Sequence, residues 1–75
     1  MSIVVEPGQL RLEMARRGMD QAVLARLAGC APATITHAMH GCRLTEVTVA
    51  RIARALNKVQ PIPGIDDLLT IEKPN

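Results

Sequence analysis

Two histidines and two cysteines in the middle of the chain are the side chains best suited to metal binding or proton transfer. They are Cys30, His37, His40 and Cys42. Thiolates and imidazoles are the ligands of structural zinc, but this spacing matches no common zinc-finger pattern, so we expect no metal and no cofactor. Cys30 is instead predicted to be a small buried hydrophobe. The two imidazoles remain as groups that can donate or accept hydrogen bonds.

The basic side chains form a second chemical group, because Lys and Arg bind phosphate. Residues 8–58 contain eight Lys or Arg against three Asp or Glu, whereas the two ends of the chain have one against four. A basic body with acidic ends is expected of a protein whose one face meets a polyanion. Any single arginine could instead lie on a solvated helix face, but as a group they favour phosphate binding: Arg11, Arg16, Arg17, Arg51 and Arg54.

Length and composition limit the remaining function classes. A chain of 75 residues has room for one small domain of marginal stability. It contains no Phe, Tyr or Trp, so its core must consist of aliphatic residues and Met, and an aromatic stacking platform for single strands is excluded. The sequence has no paired carboxylates in helical register with a His and no phosphate-binding glycine loop, so nothing in it indicates an enzyme. Without a long apolar run or signal-peptide pattern, we expect a cytoplasmic, nucleoid-associated protein.

Capping residues and glycines divide the chain into predicted elements. Asp20 can cap a second helix that ends at Gly29, Pro32 can open a third, and Thr45 can cap a fourth. The predicted organisation is an extended arm over residues 1–8, a domain over residues 9–58 with helices at 9–17, 21–28, 32–40 and about 46–57, and a linker, short helix (65–69) and tail over residues 59–75.

The third predicted helix has one packing face and one exposed face. Ile35, Ala38 and Met39 share the first, and the second carries Ala33, Thr36, His37 and His40. Only three residues separate this helix from the preceding one, so the two must cross steeply. In the fourth helix the predicted inward residues are Val49, Ile52, Ala53 and Leu56, and the outward ones are Arg51, Arg54 and Lys58.

The segment MDQAVLARLAGCAPATITHAMHGCR, residues 19–43, resembles the phage Cro and repressor type of helix-turn-helix protein, also called the XRE family. The features that match are Gln21, Ala28-Gly29, Thr34-Ile35 and Gly41, followed by RIARAL at residues 51–56 and IDDLL at residues 65–69. The resemblance implies an all-α fold, a compact bundle of four to five short helices like that of lambda repressor, with a central helix-turn-helix and a short N-terminal arm.

The resemblance also implies which residues contact DNA. In the family, the residue at Gln21 binds a phosphate and can buttress the helix that enters the groove. The residues at Pro32, Ala33, Thr34 and His37 face base edges, and those at Thr36, His40 and Arg43 meet the backbone or flanking bases. The chain departs from the pattern at Ala31, where Ser or Thr usually caps the helix, and at Pro32 and Ala33, which replace longer polar side chains. Apolar contacts and DNA shape are therefore expected to carry more of the discrimination.

These features predict a sequence-specific transcription regulator, a phage or bacterial repressor of the Cro type that binds an operator in double-stranded DNA. Two alternatives remain open: an antitoxin that binds a toxin protein and represses its own operon, and an architectural or recombination-directionality factor. Such domains commonly bind palindromes as homodimers. If this protein self-associates, we expect the ends to mediate it, through apolar residues 62–69 or through a strand that Ile3 to Val5 add to a symmetric mate or to the tail near Thr70 to Glu72.

Overall fold

The computed structural model describes residues 2–69, and four short helices dominate that part of the chain. The elements in chain order are β1 (Ser2–Val4), α1 (Pro7–Arg16), α2 (Gln21–Ala28), α3 (Pro32–Met39), β2 (Arg43–Thr45), α4 (Glu46–Asn57) and a short 3₁₀ turn (Ile65–Asp67). The predicted all-α bundle is confirmed, with the addition of one short strand pair. His40 follows α3 as its C-cap residue, and the predicted fifth helix is a single 3₁₀ turn.

Helix α1 begins at Pro7, two residues before the predicted start at Gln9. The Glu6 carboxylate caps it, accepting hydrogen bonds from the backbone N–H groups of Gly8 (3.1 Å) and Gln9 (2.7 Å). Proline suits the first position of a helix because its missing N–H has no intrahelical partner there. Pro7 therefore opens the helix rather than closing the arm.

The N-terminal arm pairs within its own chain. Strand β1 runs antiparallel to β2, with Ile3 opposite Leu44 and Val4 opposite Arg43. Leu44 is buried and its two neighbours in β2 are exposed. The face of the ribbon that carries Leu44 therefore packs against the core. Strand β1 thus has a partner within its own chain, β2, that was not predicted, and pairing with a symmetric mate stays a prediction. The tail at residues 70–72 lies outside the described residues.

The core is aliphatic throughout and draws on every helix. Leu24 and Ile35 are its largest fully buried side chains, and the buried set is Leu10, Met14, Met19, Leu24, Ala25, Ala28, Ile35, Ala38, Leu44, Ile52 and Ala55. The prediction for α4 was wrong at one position, because Ala55 is buried and Ala53 is exposed. Both alanines flank the stripe of Val49, Ile52 and Leu56. Helix α2 packs on α4, which buries the side that carries Ala55.

Side-chain hydrogen bonds of Arg17 link the end of α1 to the end of α4. Its Nε donates to the carbonyls of Leu56 (2.8 Å) and Val59 (3.0 Å), and its Nη1 donates to the backbone and carboxylate oxygens of Glu13 (3.0 and 2.7 Å). The side chain is only 12% exposed. It satisfies carbonyls that the end of a helix leaves without intrahelical partners, and its charge suits the negative end of the helix dipole.

The segment after α4 returns to α1. The N–H of Ile62 donates to the carbonyl of Arg16 (2.8 Å), and the Arg16 guanidinium bridges Glu13 (3.0 Å) and Asp66 (2.7 Å). Ile62 also lies against Gly18, where a Cβ would stand 3.2 Å from its Cδ1. Arg17 therefore acts inside the protein, and its burial removes it from the predicted phosphate-binding group. Arg16 is engaged by Glu13 and Asp66 but remains partly exposed.

Candidate nucleic-acid interface

A three-residue turn positions α3 across α2. Gly29 ends α2 with a left-handed backbone (φ 70°), and the N–H of Cys30 donates back to the carbonyl of Ala25 (3.0 Å). An L-residue strongly disfavours that conformation, which explains the glycine. Ala25 and Ala28 are buried at the crossing, where their small side chains let α3 approach closely. The local sequence thus produces a helix-turn-helix.

The outer face of α3 carries the predicted DNA-contacting residues. Ile35 and Ala38 are completely buried, and this orients the opposite face toward solvent. Of the eight predicted residues, Thr34 and Thr36 are half-buried and the other six are exposed. The exposed residues are Gln21, Pro32, Ala33, His37, His40 and Arg43. As expected from Ala31, no side chain caps the start of α3. The helix presents one polar ridge with Thr36, His37 and His40.

A side-chain hydrogen bond braces α3 against the start of α2. The hydroxyl of Thr36 lies 3.1 Å from Oε1 of Gln21 and 3.3 Å from the carbonyl of Pro32. Oε1 can only accept, so the Gln21 amide nitrogen, which makes no hydrogen bond within residues 2–69, is left to donate elsewhere. The geometry matches the buttressing that the family resemblance implied for Gln21.

The two histidines of α3 differ in their hydrogen bonding. Nδ1 of His40 lies 2.8 Å from the carbonyl oxygen of Thr36, one turn back along the helix. His37 is exposed and neither of its ring nitrogens has a hydrogen-bond partner in the described part of the chain. Either tautomer is therefore open to His37, whereas His40 must carry a proton on Nδ1 because a carbonyl oxygen only accepts.

Cations border this face at several points. Arg43 is exposed at the start of β2, shortly after α3, and makes no ion pair within residues 2–69. Arg11 reaches the carbonyl of Met39 (3.5 Å), and Arg51 and Lys58 reach those of Gly29 (3.5 Å) and Leu27 (3.1 Å), at the carboxyl ends of α3 and α2. Cations stabilise helix C-termini. These contacts join distant parts of the chain, so residue spacing gave no signal for them.

The other candidate chemistry does not converge on a site. Within the described range, no group of three or more His, Cys, Asp or Glu could hold a metal ion. Cys30 packs against the core, but it is only half-buried and not buried as predicted; Cys42 is exposed. A shallow apolar cavity of about 200 Å³ lies between α1 and α4, lined by Val5, Leu10, Val49, Ile52, Ala53 and Leu56 with the polar Gln9 and Glu13. None of the predicted DNA-contacting residues lines it.

None of the described helices combines the length and the apolar character needed to cross a bilayer. A braced α3 with an exposed polar face, set across α2 by a tight turn and bordered by arginines, defines a helix-turn-helix DNA-binding domain. The sequence profile of the Cro/C1-type helix-turn-helix DNA-binding domain matches residues 9–74, and the chain belongs to that family. No curated protein and no solved structure matches the chain significantly.

Proposed function

We propose that this protein is a sequence-specific transcription regulator, a phage or bacterial repressor that occupies an operator at the nucleoid by inserting α3 into the major groove. The observation that carries the proposal is the Gln21–Thr36 hydrogen bond, which holds the exposed face of α3 in a fixed orientation relative to α2. A groove-reading helix needs such an orientation, because base-edge contacts depend on geometry.

Within this proposal the residues of the face have separate roles. Pro32, Ala33, Thr34 and His37, toward the start and middle of α3, face base edges. Gln21 binds phosphate through its amide nitrogen, which would fix the position of the protein along the duplex. Thr36, His40 and Arg43 meet the sugar-phosphate backbone. Because Pro32 and Ala33 offer no side-chain hydrogen bond, apolar contact with thymine methyl groups and DNA shape supply part of the specificity.

DNA binding should depend strongly on salt. Selecting bound duplexes from a random pool would give the operator, and affinity for it should then be measured between about 50 and 300 mM salt. We expect log affinity to fall against log salt with a slope of about −3 or steeper, since each phosphate contact contributes about −0.9. A flat response, or no enrichment of any duplex, would contradict the proposal.

Arg43→Ala should weaken binding to all duplexes alike, by roughly five- to tenfold, and reduce the salt slope by about one. The reason is that Arg43 is an exposed cation beside α3 without an ion pair in the described residues. Arg16→Ala is the matched control, because that guanidinium is engaged by Glu13 and Asp66. A loss confined to one operator position would instead make Arg43 a base-contacting residue.

The protein would bind a palindromic operator as a homodimer, with Leu68 in the contact. Leu68 is 79% exposed, and the hydrogen bonds of Ile62 and Asp66 to Arg16 hold its segment on α1. Leu68→Glu should convert a dimer to a monomer in sedimentation and weaken operator binding by at least about tenfold, because a buried charge without a partner opposes association. Val47→Glu, at another exposed apolar residue (63%), is the control. An unchanged mass would place the interface elsewhere.

A further inference from the structure

His40 has a hydrogen bond that restricts what its ring can offer to DNA. The acceptor is a backbone carbonyl oxygen, that of Thr36, 2.8 Å from Nδ1. The proton of a neutral ring must therefore reside on Nδ1, and Nε2 then carries a lone pair. In this state Nε2 can accept a hydrogen bond but cannot donate one.

Phosphate oxygens also only accept, so a neutral His40 and a phosphate would face each other with lone pairs. Protonation places a hydrogen on Nε2 without disturbing the bond to Thr36. The ring then becomes a charged donor, and charge-assisted hydrogen bonds to phosphate are among the stronger polar contacts. Imidazole side chains in general change charge between about pH 5 and 8.

The charged groups around α3 do not bond to His40 within residues 2–69, although Arg26 and Arg43 are also exposed cations. The charged residues on the elements that pack against α3 are Arg11, Glu13 and Arg16 of α1, Arg26 of α2 with its cap Asp20, and Arg43 of β2. Glu13 and Arg16 bind each other, Arg11 binds the carbonyl of Met39, and Asp20 caps α2. None of them hydrogen-bonds to His40 within residues 2–69.

We infer that His40 is a phosphate-binding residue that acts only when protonated, so that each protein chain takes up a proton through His40 when it binds its operator. The inference rests on the proposed function, because it needs the duplex to lie along the exposed face of α3. We do not expect His37 to respond to pH in this way. Neither nitrogen of His37 is committed, so a neutral His37 can present an N–H to an acceptor.

The test measures operator affinity at constant ionic strength from pH 6 to pH 8. We expect the wild-type protein to bind roughly 5- to 20-fold more tightly at pH 6 than at pH 8, since a charge-assisted contact is gained as imidazole protonates. His40→Ala should lose most of the acid gain. His40→Gln, whose amide donates at any pH, should bind at pH 8 as tightly as the wild type does at a lower pH. His37→Ala should retain the pH response.

Two outcomes would overturn the inference while leaving DNA binding intact: a pH-independent affinity in the wild type, or a response that disappears in His37→Ala and persists in His40→Ala. Absence of salt-sensitive duplex binding at every pH would instead overturn the proposed function. A second readout needs no DNA. Nitrogen-15 shifts of the free, full-length protein at pH 8 should show the proton of His40 on Nδ1, and a proton on Nε2 would refute the geometry.

Discussion

Replacing Arg17 with alanine should lower the free energy of unfolding by about 2–4 kcal/mol, because two helix-terminal carbonyls and a carboxylate lose a largely buried, charged donor. The contacts concerned are those to Leu56, Val59 and Glu13. In a domain of this size, with a total stability of only about 5–15 kcal/mol, such a loss is a large fraction. Urea denaturation followed by circular dichroism would measure it.

The neighbouring Arg16 provides the control for this effect. Its side chain is 31% exposed and that of its partner Asp66 is 67% exposed, so their ion pair should contribute at most about 1 kcal/mol. Arg17→Lys should recover only part of the loss, because one ammonium cannot reproduce the geometry of a guanidinium that bonds through both Nε and Nη1. If Arg17→Ala and Arg16→Ala destabilise the protein equally, the hydrogen bonds of Arg17 to the end of α4 are not a major source of stability.

The sequence predicted the features that depend on neighbouring residues. Asp20 caps α2 by accepting from the N–H of Val23 (2.8 Å), and Thr45 caps α4 by accepting from that of Thr48 (3.2 Å). Gly29 ends α2 with positive φ, as its place in the sequence indicated. Helix caps act within one turn, so residue type and position are sufficient to locate them.

Features that join distant segments could not be predicted in this way. Strand β2 has only three residues, too few for an alternating pattern to stand out. It is defined by its pairing with β1, which lies far from it along the chain. The burial of Ala55 in place of Ala53 depends on which side of α4 meets α2. Likewise, Arg17 was grouped with phosphate-binding arginines because its partners at Leu56 and Val59 are far along the chain.

In the candidate site, too, the sequence predicted the local features and missed those that depend on side-chain orientation or on distant segments. The helical period alone assigned Ala33, Thr36, His37 and His40 to the exposed face of α3. Three of these residues are exposed, and Thr36 is half-buried. The different hydrogen bonding of the two histidines was not predictable, because it depends on whether each ring turns back toward the preceding carbonyl. That Gln21 buttresses α3 was expected only from the family resemblance, and its partner Thr36 was not predicted, since the bond joins separate helices.

His37→Ala should lower the preference for one base pair in each half-site by about 1–3 kcal/mol and leave non-specific binding within roughly twofold of the wild type. His37 is the exposed residue of α3 that carries a long polar side chain without a hydrogen-bond partner in the described residues. Its ring can donate to the acceptors of guanine or accept from the exocyclic amine of adenine or cytosine. Selection from random duplexes, followed by affinity measurements on single-position operator variants, would give the change.

The measurement should be made at pH 8, where most imidazoles are neutral, so that the effect of His37 on sequence preference is separated from proton uptake by His40. Asn57→Ala, an exposed change at the end of α4, is the control and should leave both the selected sequence and the affinity unchanged. The His37 variant should remain folded because the side chain is exposed. If it selects the wild-type operator with undiminished preference, α3 discriminates among sequences through Ala33, Thr34, Thr36 and the shape of the duplex.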